Sequence, residues 1–138
     1  MEEITSRDNK KIKHIVQLYK RKYRTTHQEF VAEGYRTVID MLPTGTVRYV
    51  IVNTESIKQE QLHPLLSLCD TYDVQVCSIS NSLWKGIETT VHGQGVIAVV
   101  CQKLRRLKDF KVKENALYVL IDGVQDPGNL GTVIRTAV

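Results

Sequence analysis

Two side chains near the end of the chain, Asn129 and Arg135, have the types and the spacing that bind an anion. Gly131 lies four residues before Arg135, so the two share one face of a predicted helix. Because helical side chains lean toward the N-terminus, the Arg135 guanidinium is expected to reach back over Gly131. It would there join Asn129 and the unpaired N–H groups of the first turn, which together favour a phosphate or an ionising oxygen. The alternative is ordinary turn chemistry with an exposed arginine, and spacing alone leaves both interpretations open.

The segment that positions these side chains is typical of a strand, a polar loop and the start of a helix. Residues 117–121 are apolar, as in a central parallel strand, and open α/β sheets bind ligands beyond the carboxyl ends of such strands. Asp126-Pro-Gly predicts a turn, and Asn129 is expected to be the N-cap of the following helix. One strand and a short helix cannot form a core, so we expect the first domain, a neighbouring chain or an exchanged segment to cover the strand.

The chain before residue 103 alternates predicted strands and helices, which indicates a compact α/β sandwich. Its first helix is expected to run from an N-cap at Ser6 to Lys20. The apolar face of that helix has helical spacing and consists of Ile12, Ile15, Val16 and Tyr19. The other predicted elements are strands over 28–34, 47–53, 74–79 and 95–102, and helices over 35–42, 56–69 and 81–87. Pro64 can break one of these helices, and Trp84 is expected to be a core anchor rather than a base-stacking platform.

Positive charge is concentrated in two segments of a chain whose net charge is +4. Residues 103–115 contain six of the 19 Lys and Arg residues and little apolar periodicity, which is typical of a linker. We therefore expect a first domain over 1–102, a basic linker over 103–115 and the truncated start of a second domain over 116–138. The other segment, residues 1–24, contains eight basic residues that are candidate nucleic-acid contacts, although a solvated surface is the alternative. These residues are Arg7, Lys10, Lys11, Lys13, Lys20, Arg21, Lys22 and Arg24.

Composition argues against membrane and metal proteins. The hydrophobic fraction is 42% and the charged fraction 25%, as in soluble globular proteins. No apolar run approaches the ~20 residues that span a bilayer, and the acidic N-terminus does not resemble a secretory signal. A cytoplasmic protein without membrane contact is expected. No metal site is predicted, because the cysteines (69, 77 and 101) and histidines (14, 27, 63 and 92) lack metal-ligand spacing. We expect Cys77 and Cys101 to be buried and the histidines to lie at the surface or in loops.

The terminal motif resembles the first motif of a known family. The pattern Asp126-Pro-x-Asn129-x-Gly131-x-x-x-Arg135-x-Ala137 after an apolar strand is similar to that of the SpoU (TrmH-like) family of RNA ribose 2′-O-methyltransferases. Three other segments resemble the family's N-terminal domain: Ile4-Thr-Ser-Arg-Asp-Asn-Lys-Lys-Ile-Lys, Phe30-Val-Ala-Glu-Gly34 and Gly93-Gln-Gly95-Val-Ile-Ala98. The resemblance implies a small three-layer α/β RNA-binding domain, similar to a ribosomal-protein fold. The first strand and helix of a knotted α/β methyltransferase domain would follow it.

The resemblance also implies an activity, a cofactor and partners. The expected function is 2′-O-methylation of ribose in structured ribosomal or transfer RNA, with S-adenosylmethionine as cofactor and Asn129 and Arg135 as catalytic residues. The full-length enzyme is expected to be a homodimer. Later motifs of the family build the cofactor pocket, and this sequence does not contain them. We therefore predict no cofactor-binding residue, and we expect the chain to be inactive alone.

The chemistry of arginine limits the role that Arg135 can have. Its guanidinium stays protonated, so it is a poor general base. We expect it to bind the phosphate beside the target ribose and to stabilise the developing alkoxide, while Asn129 orients the loop or the ribose. Two alternatives are a non-catalytic RNA-binding module with a ribosomal-protein-like fold and a nucleotide- or phosphate-binding α/β protein. The latter is disfavoured because no Walker-type lysine or Gly-x-Gly-x-x-Gly follows a strand.

Overall fold

The computed structural model describes residues 1–89, 94–104 and 106–137, so His92, Gly93 and Arg105 lie outside the described residues. The chain forms two compact units, Met1–Leu104 (the first unit) and Arg105–Val138 (the second unit). None of the helices in the described ranges has the length and apolar character needed to cross a membrane.

The first unit is built on one five-stranded sheet. Its strands are β1 (Glu2–Ile4), β2 (Glu29–Glu33), β3 (Val47–Asn53), β4 (Gln75–Ile79) and β5 (Val96–Cys101). Their order across the sheet is β1-β4-β3-β5-β2. β1, β4 and β3 are parallel, whereas β5 is antiparallel to both β3 and β2. The parallel strands therefore end at one edge of the sheet, where Asn53 pairs with Ile79.

Helices cover both faces of this sheet. The helices of the first unit are α1 (Lys10–Leu18), α2 (Arg21–His27), α3 (Tyr35–Met41), α4 (Gln59–Thr71) and α5 (Asn81–Trp84), with a 3-10 turn at Leu42–Thr44. Ile15 of α1 and Trp84 of α5 belong to one hydrophobic core, which confirms Trp84 as a core anchor. Val38 of α3 and Leu65 of α4 belong to the core on the opposite face. The predicted three-layer α/β fold is confirmed.

The first helix differs in its start and its buried face from the prediction. Asn9, not Ser6, is the N-cap of α1, and its Oδ1 accepts the Lys11 N–H at 2.8 Å. The Ser6 hydroxyl instead accepts the Asp8 N–H at 3.1 Å and forms a local turn before the helix. The buried face of α1 consists of Ile12, Ile15 and Leu18, the last residue of the helix. Val16, which was predicted to lie on this face, is 42% exposed.

Two elements of the first unit were not predicted, and one predicted break is absent. β1 has three residues and α2 has no buried residue, so neither gives a clear hydrophobic period. Pro64 lies inside α4 without ending it. The proline ring leaves the Glu60 carbonyl without its helical partner, but Glu60 is exposed, where water can bind that carbonyl.

The second unit contains a 3-10 turn at Leu107–Asp109 and one helix, α6 (Pro127–Thr136), among its described residues. The predicted strand over 117–121 is not formed, because a strand needs a hydrogen-bonded neighbour and none is described for this segment. Leu117 is 92% exposed and Leu120 98% exposed. The cover expected for this segment stays a prediction.

Candidate functional site

The C-terminal motif begins helix α6 earlier than predicted. Asp126 is the N-cap, and its Oδ1 accepts the backbone N–H of Asn129 at 2.8 Å. The prediction that Asn129 is the N-cap is wrong. Pro127 fits the first helical position, where a missing N–H costs nothing, so the helix starts two residues before Asn129. Asn129 is instead exposed in the first turn.

The Arg135 guanidinium lies over Gly131, as the spacing predicted. A β-carbon added at Gly131 would lie 3.9 Å from the Arg135 Nη2. Arg135 is exposed, and its side chain has no ion-pair or hydrogen-bond partner in the described part of the chain. The guanidinium is therefore available to an external anion.

The described residues of the second unit line open surface grooves rather than an enclosed site for a nucleoside-sized cofactor. Small-molecule sites bury most of the surface of their ligand. Every described residue of this unit is exposed except Gly131, which is intermediate. The residues present thus do not fit S-adenosylmethionine, and none is assigned to it.

Two of the eight predicted RNA contacts form ion pairs within the first unit. The Lys11 Nζ lies 3.2 Å from the Glu2 carboxylate. Burial opposes its charge, but hydrogen bonds to Cys77 and Glu2 outweigh burial and raise the pKa of Lys11. The Lys13 Nζ lies 2.7 Å from the Asp8 carboxylate and lowers the pKa of that carboxyl group. Part of the positive charge of α1 is therefore balanced locally.

Two arginines of the predicted set bind main-chain oxygens. The Arg24 Nη1 donates to the carbonyl oxygens of Leu18 and Tyr19 at 3.0 and 2.7 Å, which caps the C-terminus of α1. The Arg7 guanidinium makes a longer contact with the Ser82 carbonyl at 3.4 Å. Arg24 thus has a structural role whatever else it binds.

The side chains of the remaining four residues of the predicted set are unpaired within the described chain. Lys10 is exposed in the first turn of α1, and the other three occupy the start of α2. None of their side chains has a hydrogen-bond or ion-pair partner in the described ranges. They are Lys10, Lys20, Arg21 and Lys22.

A buried carboxylate next to α1 was not predicted from the sequence. Glu29 of β2 is 3% exposed, and its Oε2 lies 2.5 Å from the His14 Nε2. Its other oxygen accepts a hydrogen bond from Arg48 of β3. Burial opposes its ionisation, but the hydrogen bonds from Arg48 and His14 outweigh burial and lower the pKa of Glu29. The only sequence signal was Arg48 within an otherwise apolar strand.

The carboxyl ends of β3 and β4 carry a second polar cluster that was not predicted. Asn53 is fully buried, and its Nδ2 donates to the Ser56 Oγ at 2.8 Å and to the Asn81 Oδ1 at 2.5 Å. Its Oδ1 accepts the Glu55 N–H at 3.0 Å. The Glu55 carboxylate in turn accepts from the Asn81 Nδ2 at 2.8 Å. The polar side chains of this cluster hydrogen-bond to one another. The cluster therefore has a structural role, because it connects the ends of β3 and β4 to the segments that follow them.

The Gln-Gly motif before β5 lies at the same edge of the sheet, beside the end of β3. The Gln94 Oε1 accepts the Tyr35 N–H at 3.0 Å, at the start of α3. Gly95 has a φ of +70°, and a β-carbon there would lie 2.5 Å from the Ile57 backbone nitrogen. Only glycine fits this position. Gly93, the first residue of the motif, lies outside the described residues.

The cysteines and histidines occupy separate positions. Cys77 is buried as predicted, Cys101 is only partly buried, and burial raises the pKa of the Cys69 thiol to about 11. His27 and His63 are exposed. The surface or loop position predicted for His14 is wrong, because His14 lies within helix α1, is partly buried and contacts the buried Glu29. Within the described residues, no group of three or more His, Cys, Asp and Glu side chains could hold a metal.

Residues 9–98 match the MRM3-like substrate-binding domain. Over 138 residues the chain is 33% identical to the 23S rRNA (guanosine(2553)-2′-O)-methyltransferase RlmP of Bacillus subtilis, covering 99% of this chain and 50% of that protein. Over 121 residues it is 29% identical to the mitochondrial rRNA methyltransferase 3A of Danio rerio, covering 85% of this chain and 27% of the relative.

Two solved structures share the fold. An rRNA methyltransferase from Sinorhizobium meliloti superposes with a TM-score of 0.77 at 31% identity, over 99% of this chain and 50% of that one. The SpoU methyltransferase AviRb from Streptomyces viridochromogenes, in complex with AdoMet, gives a TM-score of 0.69 at 26% identity over 94% and 47%. The chain thus spans about half the length of RlmP and of these two structures.

Proposed function

The chain belongs to the SpoU (TrmH-like) family of RNA methyltransferases, and we propose that it supplies RNA binding and the first catalytic motif for ribose 2′-O-methylation of structured RNA. The observation that carries this proposal is the match over 99% of the chain to half of a 23S rRNA 2′-O-methyltransferase. The exposed guanidinium of Arg135, held over Gly131, supports it.

The proposed division of labour follows the two segments of positive charge. Residues 1–102 bind ribosomal or transfer RNA through phosphate contacts, residues 103–115 form a basic linker, and residues 116–138 begin the catalytic domain. Among the eight basic residues of the N-terminal segment, Lys10, Lys20, Arg21 and Lys22 are best suited because their side chains are exposed and have no partner in the described chain. The whole enzyme is proposed to be a cytoplasmic homodimer.

The proposed chemistry assigns charge stabilisation rather than proton removal to Arg135. A planar guanidinium binds phosphate through two hydrogen bonds and stays charged while the ribose oxygen develops negative charge. Asn129, in the first turn of α6, orients the loop or the ribose. S-adenosylmethionine is the proposed methyl donor of the whole enzyme, and its contacts are left to residues other than those of this chain.

Replacing Arg135 by lysine in the whole enzyme tests this role. Lysine keeps the charge but not the planar fork, so methyl transfer from labelled S-adenosylmethionine to ribosomal or transfer RNA should fall about 100-fold or more. RNA binding should persist, because the first unit is unchanged. Arg36→Lys, at an exposed position of α3, is the matched control and should keep full activity. Near-wild-type turnover of the Arg135 variant would refute the role. RNA binding by a wild-type enzyme that transfers no methyl group would favour a non-catalytic RNA-binding module.

A further inference from the structure

Helix α2 is kept in place by polar contacts rather than by a hydrophobic face. None of its seven residues is buried. Arg24 ties it to the end of α1, and the Thr25 hydroxyl donates to the Arg21 carbonyl oxygen within the helix at 3.1 Å. Gln28 closes it in the left-handed conformation, with φ +54°. A seven-residue helix is marginal by itself in water, so these contacts hold a surface element that adds nothing to the core.

Two aromatic side chains lie one turn apart on this helix. The rings of Tyr23 and His27 are nearly parallel, with an interplanar angle of 9° and 6.3 Å between centroids. His27 is exposed and Tyr23 partly exposed. The His14 ring meets His27 edge-on at 5.0 Å and is itself anchored by the buried Glu29. The rings therefore form a supported platform at the surface rather than part of the core.

Three of the unpaired cations of the first unit lie at the start of the same helix. Lys20 precedes α2, and Arg21 and Lys22 are its first two residues. All three side chains are exposed, and none has a side-chain partner in the described ranges. Exposed rings beside unpaired cations are the combination that binds unpaired nucleotides, because the bases stack on the rings while the cations contact the phosphates.

We propose that α2 is a stacking site for an unpaired RNA nucleotide, with the Tyr23 and His27 rings contacting the base and Lys20, Arg21 and Lys22 contacting its neighbouring phosphates. This rests on the RNA-binding function proposed above and deepens it. In a continuous duplex each base is stacked between its neighbours and inaccessible to the rings. The site therefore selects loops, bulges or single-stranded ends over uninterrupted helices, independently of the methyl-transfer motif.

The test compares two RNA probes of equal length and charge, a hairpin with an unpaired loop and a blunt duplex. Their binding to the chain is measured by fluorescence anisotropy. Stacking contributes ~1–3 kcal/mol per base, so Tyr23→Ala/His27→Ala should weaken hairpin binding about tenfold or more. Duplex binding, which depends on phosphates alone, should change less than twofold. Circular dichroism should be unchanged because no buried side chain is removed.

Two further variants separate stacking from other causes. Tyr23→Phe/His27→Phe keeps both rings and should retain hairpin binding within about threefold; a tenfold loss there would overturn a stacking role. His63→Ala/Tyr72→Ala removes the same residue types from α4 and its C-cap, on the opposite face of the sheet, and should have no effect. If Tyr23→Ala/His27→Ala weakens the binding of hairpin and duplex equally, or of neither, the stacking site is overturned. In that case RNA binding by the wild-type chain still supports the proposed RNA-binding function. Failure of the wild-type chain to bind either probe overturns both.

Discussion

Two apolar runs of similar composition have opposite surroundings in the two units. In the first unit, β3 lies between β4 and β5, and Val50, Ile51 and Val52 are fully buried. In the second unit, residues 117–121 have no described strand partner, and Leu120 is 98% exposed. An apolar run therefore predicts that a segment needs partners, and whether a strand forms depends on the partners being present.

The positive charges differ between the units in a similar way. In the first unit, Lys11 and Lys13 form ion pairs and Arg24 binds main-chain oxygens. Lys20, Arg21 and Lys22 are instead exposed at the start of α2 and unpaired among the described residues. In the second unit, basic and acidic residues are interspersed along an exposed segment, where Arg106 and Asp109 pair at 3.0 Å. The first unit thus presents a local patch of unpaired positive charge, whereas basic and acidic residues are mixed in the second unit.

Two glycines with nearly the same φ provide the sharpest test of this contrast. Gly95 has φ +70° and Gly123 φ +68°, but an added β-carbon meets the Ile57 nitrogen at 2.5 Å in the first case and nothing within 4 Å in the second. Gly95→Ala should lower the free energy of unfolding of the first unit by about 3–6 kcal/mol, since strain and overpacking add. Gly123→Ala should leave it unchanged within about 0.5 kcal/mol.

Urea unfolding followed by tryptophan fluorescence measures this difference, because the single tryptophan of the chain, Trp84, lies in the core of the first unit. Gly45→Ala is a second control, with φ +63° and open space around it. It isolates the cost of the backbone conformation, about 1 kcal/mol. Equal losses for Gly95 and Gly45 would contradict the close packing at the Asn53 edge.

A smaller effect is expected from the buried carboxylate of the first unit. Glu29→Gln removes a charge that His14 and Arg48 bind, and it should cost about 1–3 kcal/mol of unfolding free energy at pH 7. The folded pKa of Glu29 lies below its ordinary value of 4.5. Its contribution is therefore present above pH 4.5 and is lost as the pH falls through the folded pKa.

Unfolding in urea at pH 7 and at a series of lower pH values checks the sign. The difference between wild type and Glu29→Gln should shrink as the pH falls below 4.5. Glu60→Gln, at an exposed position of α4 paired only at 3.9 Å with Lys58, is the control and should change little at any pH. A difference that grows on acidification would mean that the charge of Glu29 destabilises the fold.

Local chemistry was predictable from the sequence where one segment decides it. The bounds of β3 and the reach of Arg135 over Gly131 follow from the strand and helix periods, and both are observed. The cap of α6 was misassigned because two adjacent signals, Asp126 before a proline and Asn129 after a glycine, compete for one role. The pairing of Glu29 with Arg48 was not predictable, since it depends on which strands become neighbours of β5.

The salt dependence of RNA binding distinguishes the contributions of the two basic segments. Each phosphate contact contributes ~0.7–0.9 to the slope of log K against log salt concentration. Lys20→Ala/Arg21→Ala/Lys22→Ala should reduce this slope by about 2. Lys108→Ala/Lys111→Ala/Lys113→Ala removes the same charge and should reduce it less. The reason is that six basic and four acidic residues give residues 105–138 a net charge of only +2, whereas eight basic and three acidic residues give residues 1–24 a net charge of +5. A larger reduction for the second variant would place the main RNA contact in the second unit and reverse the contrast.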